Sequence, residues 1–148
     1  MTRSILILNG PNLNLLGTRQ PEVYGTTTLK DVENLCSQKA QALGIDVVFA
    51  QSNHEGALLD LMHDARGKHD GIILNAGAYT HTSVALMDAI SSIMLPVIEL
   101  HLSNIHAREA FRQTSYISKV CVGQICGFGA AGYPLAMEAL VTHLEEIK

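Results

Sequence analysis

The sequence is poor in the features that would commit it to several broad classes. Its 148 residues include only three cysteines, Cys36, Cys121 and Cys126. An odd, low count gives no disulfide framework, and the Cys121-x4-Cys126 spacing is not that of a zinc knuckle. The three are expected to act as small apolar core residues. No stretch reaches ~18 uninterrupted apolar residues, so no membrane span is expected. Residues 4–8 are too short for a signal-peptide core and lead into polar residues. Lysine and arginine total ten against fourteen acidic residues, a net charge of −4, and they are scattered. That balance argues against a nucleic-acid partner. Linkers, repeats and low-complexity tracts are absent. What is present is a chain with 47% apolar and 16% charged residues, the balance of a globular protein. The length suits one domain around one core. A single domain over residues 1–148, located in the cytoplasm, is the expectation.

Strand-like and helix-like segments alternate along the chain. Apolar runs at 4–8, 45–50, 71–75, 96–100 and 117–126 read as strands. Residues 28–43 carry Leu29, Val32, Leu35, Cys36, Ala40 and Leu43 at helical spacing. Thr28 with Asp31 can cap the start, and Gly44 can end it. Further helices are expected at 56–66, at 81–93 and, as a short one, at 106–113. Pro134 suits the first turn of a last helix whose face is Leu135, Ala136, Ala139, Leu140, His143, Leu144 and Ile147. Five βα units with apolar strands imply an α/β fold, a five-stranded parallel sheet with helices on both faces. The expected order is flavodoxin-like, 2-1-3-4-5. Such sheets bind ligands beyond the carboxyl ends of their strands, at the switch point between strands 1 and 3.

The unusual residues follow those strand ends. After the first strand comes a connection of roughly 18 residues, where two to six is usual. This segment, about 9–26, carries three Asn, Arg19 and Tyr24, with glycines at both ends that could hinge a lid. It is also compatible with an ordinary surface loop. After the third strand, Asn75-Ala-Gly-Ala-Tyr-Thr-His81-Thr-Ser83 combines small residues with polar tips at a helix start suited to anions. A routine capped turn would look similar. In Glu99-Leu-His101-Leu102-Ser103-Asn104, alternate residues share a face, so Glu99, His101 and Ser103 point one way and the leucines the other. A carboxylate beside an imidazole fixes its tautomer and raises its basicity. Arg108 and Arg112 lie four apart, on one face of the expected short helix; taken alone, they read as a solvated face with Glu109.

Some patterns mislead. Gly127-Phe-Gly129-Ala-Ala-Gly132 fits G-x-G-x-x-G. A dinucleotide fingerprint, however, needs a further strand and an acid about 20 residues on, and only 16 residues follow Gly132. Close packing of the last helix on the sheet is the expected role. The seven histidines show no metal-ligand spacing, and His54, His63, His69, His106 and His143 read as surface or packing residues. Neither G-x-S-x-G nor a Walker loop occurs.

Taken together, Asn9–Gly17, Arg19–Gly25, Gln51–Gly56, Asn75–Ser83, Glu99–Asn104 and Gly127–Gly129 resemble the type II 3-dehydroquinate dehydratases, in order and across essentially the whole chain. Small departures are Gln20, where an acid is frequent, and Leu100 and Leu102, where β-branched residues are common. The resemblance implies a flavodoxin-like lyase that needs no metal or cofactor. Its small-molecule substrate is 3-dehydroquinate and its product 3-dehydroshikimate. It implies Tyr24 as base, helped by Arg19, and His101 as acid. It implies substrate binding by Asn75, His81, the 102–103 backbone (Leu102, Ser103), the Ser103 side chain and Arg112. It also implies Asp88 reaching in from a neighbouring subunit, within trimers packed into dodecamers.

The chemistry is physically coherent with these residues. A neutral phenol with pKa about 10 is a poor base, and a guanidinium within about 4–6 Å favours the phenolate. Asn12 could hold a water against an enolate oxygen, and Glu99 could orient His101. A Schiff-base route would need a lysine, and none of Lys30, Lys39, Lys68, Lys119 and Lys148 falls at the strand-end clusters. The competing readings are another cofactor-free reaction on a related carbonyl acid, and a binding module with no turnover.

Overall fold

Five short apolar runs become strands: β1 (Ser4–Asn9), β2 (Asp46–Gln51), β3 (Gly71–Asn75), β4 (Val97–His101) and β5 (Gly123–Cys126). The computed structural model, which describes residues 2–18 and 21–147 and only the backbone of Val23 and Tyr24, arranges them in one sheet of order β2-β1-β3-β4-β5. Every neighbouring pair is parallel. The expected topology and order are therefore present. β1, β3 and β4 bury nearly all their residues, as central parallel strands covered on both faces must.

The helices are α1 (Pro21–Tyr24), α2 (Leu29–Leu43), α3 (Glu55–Asp64), α4 (Val84–Ile93) and α5 (Gly132–Glu146). Alternation along the strands splits the core into two layers. Ile5, Ile7, Ile73, Ile98 and Leu100 pack with residues of α2 and α5. Leu6, Leu8, Ile72, Leu74 and Val97 pack with those of α3 and α4. α2 has the expected capping box: the Thr28 side chain accepts from the Asp31 backbone N–H, and the Asp31 side chain accepts from that of Thr28. Gly44 ends the helix in the left-handed conformation. The G-x-G-x-x-G segment has the packing role expected of it. A Cβ on Gly132 would stand 2.9 Å from the Leu100 side chain.

Four segments differ from expectation. Residues 106–113 are not one helix but two 3-10 turns, Ile105–Ala107 and Ala110–Arg112, separated by extended backbone at Arg108 and Glu109. Only Ile105 is buried there, and Phe111 is 65% exposed; so short a segment with one apolar anchor cannot hold a helix. The last strand begins at Gly123, not 117, because Ser118–Val120 form a 3-10 turn that carries Ser118 to a buried carboxylate. In α5 the buried face is Tyr133, Ala136, Met137, Leu140 and Leu144, while Leu135 and Ile147 are exposed. Burying the Tyr133 hydroxyl among polar partners sets that rotation. Finally, the long connection after β1 is not structureless. A 3-10 turn at Leu13–Leu15 anchors it through buried Leu13 and Leu16, and α1 follows.

Among the described residues, no helix is long and apolar enough to cross a membrane.

Candidate active site

The carboxyl ends of β1, β3 and β4 bring Asn9, Asn75 and His101 to one edge of the sheet. A cleft of about 620 Å³, mouth included, opens there; Asn12, Asn75, His81, His101, Ser103 and Arg112 line it. Leu102 lines it too, because β4 ends at His101 and the expected alternation ends with it. Glu99 is fully buried behind His101. Asp88 is on the exposed side of α4 and is not part of this chain's cleft. Arg19 lies outside the described residues, as does the side chain of Tyr24. The backbone of Tyr24 ends α1, on the segment that follows β1.

Glu99 and His101 form the electrostatic centre. His101 Nε2 lies 2.5 Å from Glu99 Oε2. Ser118 Oγ donates to Glu99 Oε1 at 2.5 Å. Thr80 Oγ1 and Ser115 Oγ each stand 2.8 Å from Oε2 and 2.7 Å from one another. Two hydroxyl protons serve those three contacts, so at least one always reaches the carboxylate. Burial works against the charge on Glu99, but hydrogen bonds from His101 and Ser118, the electrostatic attraction of His101, and a hydrogen bond from Ser115 outweigh it and hold the acid at about 2. The carboxylate is therefore ionised at neutral pH and can only accept. The His101 Nε2 must carry a proton, which leaves Nδ1 as the ring atom available to a ligand.

His81 is fixed the same way. Its Nδ1 lies 2.8 Å from the Thr114 carbonyl, which can only accept, so Nδ1 is protonated and Nε2 is the free nitrogen. Burial holds its pKa below the ordinary imidazole value; the Thr114 carbonyl works in the other direction, and the charges of His101 and Arg112 add to the lowering. Arg112 is tethered by its neighbours: Nε donates to Glu109 at 2.7 Å, and the guanidinium stacks 4.9 Å from the Phe111 ring centroid. The local pattern reads Arg112 as part of a solvated face with Glu109; its place at the cleft is expected only from the family resemblance.

The floor is built by close backbone approach. A Cβ on Gly10 would lie 2.4 Å from the Ala76 carbonyl oxygen, so only glycine lets the ends of β1 and β3 come so near. Gly10 is thus a packing residue, not a hinge. Asn12 adopts a left-handed backbone with φ 70, a conformation Asn tolerates, and its N–H donates to Asn53 Oδ1 at 3.0 Å.

Sequence reading missed several residues. Arg108 lines the cleft, because two turns rather than one helix carry it there. Thr80, Ser115 and Ser118 surround Glu99, but isolated hydroxyl residues in loops carry no pattern. Asn9 and Tyr133, both fully buried, lie behind Asn75; the only hint was a polar residue ending an apolar strand. Among the described residues, no group of three His, Cys, Asp or Glu could hold a metal ion.

Comparison with known proteins agrees with this geometry. The family model for class II dehydroquinase matches residues 3–141. A 3-dehydroquinate dehydratase of Ruegeria pomeroyi is 68% identical over 141 residues, covering 95% of each chain. One from Dinoroseobacter shibae is 66% identical over 140 residues, 95% of this chain and 93% of that one. The crystal structure of a type II dehydroquinase from Butyrivibrio crossotus superposes with a TM-score of 0.93 at 42% identity, covering 95% of this chain and 98% of that one. With its sheet order, its strand-end cleft and these likenesses over nearly its whole length, the chain belongs to the class II dehydroquinase family.

Proposed function

We propose that this chain is a hydro-lyase that converts 3-dehydroquinate to 3-dehydroshikimate, in the shikimate pathway or in quinate breakdown. The observation that carries the reading is the buried, ionised Glu99 holding His101 at the end of β4, in the cleft. The substrate has a ketone at C3, a CH2 at C2, and a hydroxyl and a carboxylate at C1. Tyr24, as a phenolate favoured by the charge of Arg19, takes a proton from C2. The C2–H electrons form an enolate whose charge rests on the C3 oxygen, and Asn12 holds a water against it. The enolate then collapses, the C1–C2 double bond forms, and the C1–O bond breaks. His101, protonated on both nitrogens, gives its Nδ1 proton to the departing hydroxyl, which leaves as water. The Glu99 charge stabilises the ring while it is positive.

Ser103, the backbone of Leu102 and Ser103, Arg112 and His81 bind the substrate, with Asn75 beside them. The carboxylate suits the backbone donors and the cation. No lysine lines the cleft among the described residues, so no Schiff base is invoked, and no step requires a metal or cofactor. The segment of about 9–26 carries the lid, with its closing part from Gly17 to Gly25, glycines whose φ values are positive at 93 and 76, while Leu13 and Leu16 are buried. The catalytic domain spans 1–148 and works in the cytoplasm, which suits its free cysteines. It assembles as trimers packed into dodecamers, and Asp88 enters a neighbour's cleft. Exposed Val84, one turn before Asp88, gives that contact an apolar part.

The test is ultraviolet absorbance after chelator-treated protein meets 3-dehydroquinate. The product is a conjugated enone acid and absorbs where the substrate does not. Rising absorbance is expected; a flat trace from folded, assembled protein would move the reading to another carbonyl acid or to binding without turnover.

A further inference from the structure

The amide of Asn75 faces the cleft with either its oxygen or its nitrogen, and the choice decides whether it selects a donor or an acceptor in the substrate. A buried chain of hydrogen bonds makes that choice. Asn9 Nδ2 lies 3.1 Å from the Ala50 carbonyl oxygen, and Asn9 Oδ1 lies 2.7 Å from the Tyr133 hydroxyl. That hydroxyl lies 2.9 Å from Asn75 Nδ2. Asn75 Oδ1 lies 3.3 Å from the backbone N of Gly77, which also lines the cleft. Asn9 and Tyr133 are fully buried and Asn75 is 3% exposed, so water cannot correct a wrong orientation.

Both ends of this chain are backbone groups of fixed polarity. The Ala50 carbonyl can only accept, so Asn9 turns its NH2 to it. The Asn9 oxygen then needs a donor, and the single Tyr133 proton goes there. The Tyr133 oxygen must accept, so Asn75 presents NH2 inward and oxygen outward. Reversing all three groups would place oxygen against the Ala50 oxygen at one end and NH2 against the Gly77 N–H at the other. The first mismatch would leave the buried Asn9 oxygen without a donor, and the second would set two donors against each other at the part-buried Gly77 end. We propose that Asn9 and Tyr133 are positioning residues that lock Asn75 with its oxygen toward the cleft, so that Asn75 recognises a ring hydroxyl of the substrate by accepting its proton. This rests on the reading of the cleft as a 3-dehydroquinate site, whose ring carries hydroxyls at C1, C4 and C5. It also explains why α5 is rotated to bury Tyr133 rather than Leu135.

Two measurements test it. Neutron diffraction from crystals of the deuterated wild-type protein should show two deuterons on the Asn75 amide atom facing Tyr133; finding them on the atom facing Gly77 would overturn the proposal. Competitive inhibition should compare quinate with its 1-deoxy, 4-deoxy and 5-deoxy analogues. One of the three should bind the wild type roughly 10- to 100-fold more weakly than quinate, read as Ki. Tyr133→Phe, which frees the amide to turn, should narrow that preference to within about threefold, a change that mere destabilisation would not produce. Equal binding of all three analogues by the wild type, or wild-type selectivity in Tyr133→Phe, would refute hydroxyl recognition. Absence of any turnover by the wild type would sink the functional reading and the hydroxyl with it, while the neutron map would still decide the amide orientation.

Discussion

At the residue scale the chemistry divides between groups that move protons and groups that hold charge still. Tyr24 is proposed for the first kind. Tyr24→Phe should lower kcat roughly 10²- to 10⁴-fold, the usual range for removing a positioned general base. Calorimetric titration should still find substrate binding, and near-normal turnover would remove Tyr24 as the base. Glu99 belongs to the second kind, and its effect is visible in stability. An unfolded glutamate takes up its proton as the pH falls through the usual 4.5, whereas Glu99 stays ionised in the native protein down to about 2. The native state therefore binds fewer protons in that window. Stability from this group is complete above about 4.5 and is lost as the pH falls from 4.5 to 2. The amount is on the order of 3 kcal/mol. Acid-unfolding curves of Glu99→Gln should be flatter over that window than those of the wild type, and an unchanged slope would mean that the carboxylate is not held as the hydrogen bonds imply. The Glu99–His101 pair was legible in the sequence because strand alternation puts residues two apart on one face. Its hydroxyl cradle was not, because Thr80, Ser115 and Ser118 come from three loop positions that only the folded chain unites.

At the scale of elements, the sheet positions the site, and the distance between β1 and β3 is its most sensitive dimension. Gly10→Ala would drive a methyl against the Ala76 backbone, which cannot swing aside as a side chain could. A cost of about 1–3 kcal/mol is expected, together with a raised KM as the strand ends part. Gly56→Ala is the control. Gly56 lies in α3 and its added Cβ would meet nothing, so a gain of a few tenths to about 1 kcal/mol is expected. Urea denaturation of the two variants should move in opposite directions; two shifts of the same sign would contradict the tight approach. The strands, and the capped helix α2, could be read from the sequence because burial, period and cap agree there. The segment 105–120 could not. Arg108 takes an extended backbone, and Ser118 is drawn to Glu99, so tertiary contacts override local pattern and carry Arg108 and Arg112 to the cleft by turns.

At the scale of the whole molecule, one chain supplies an incomplete site if Asp88 serves a neighbour. Asp88 sits on the exposed side of α4, away from buried Leu86, Ala89, Ile90 and Ile93, and does not line this chain's own cleft. Tyr24 and His101, by contrast, belong to the chain's own segments. Defects at Asp88 and at Tyr24 should then complement one another. Homo-oligomers of Asp88→Ala and of Tyr24→Phe should each be impaired. When the two are unfolded together and refolded as a 1:1 mixture, about a quarter of the sites should combine an intact Tyr24 from one subunit with an intact Asp88 from the next, as random assembly around a ring requires. Turnover should rise above the average of the separately refolded variants, and sedimentation should show assemblies rather than single chains. No gain over that average, from properly assembled mixtures, would mean that each cleft works with residues of one chain alone, and the exposed face of α4 would need another explanation.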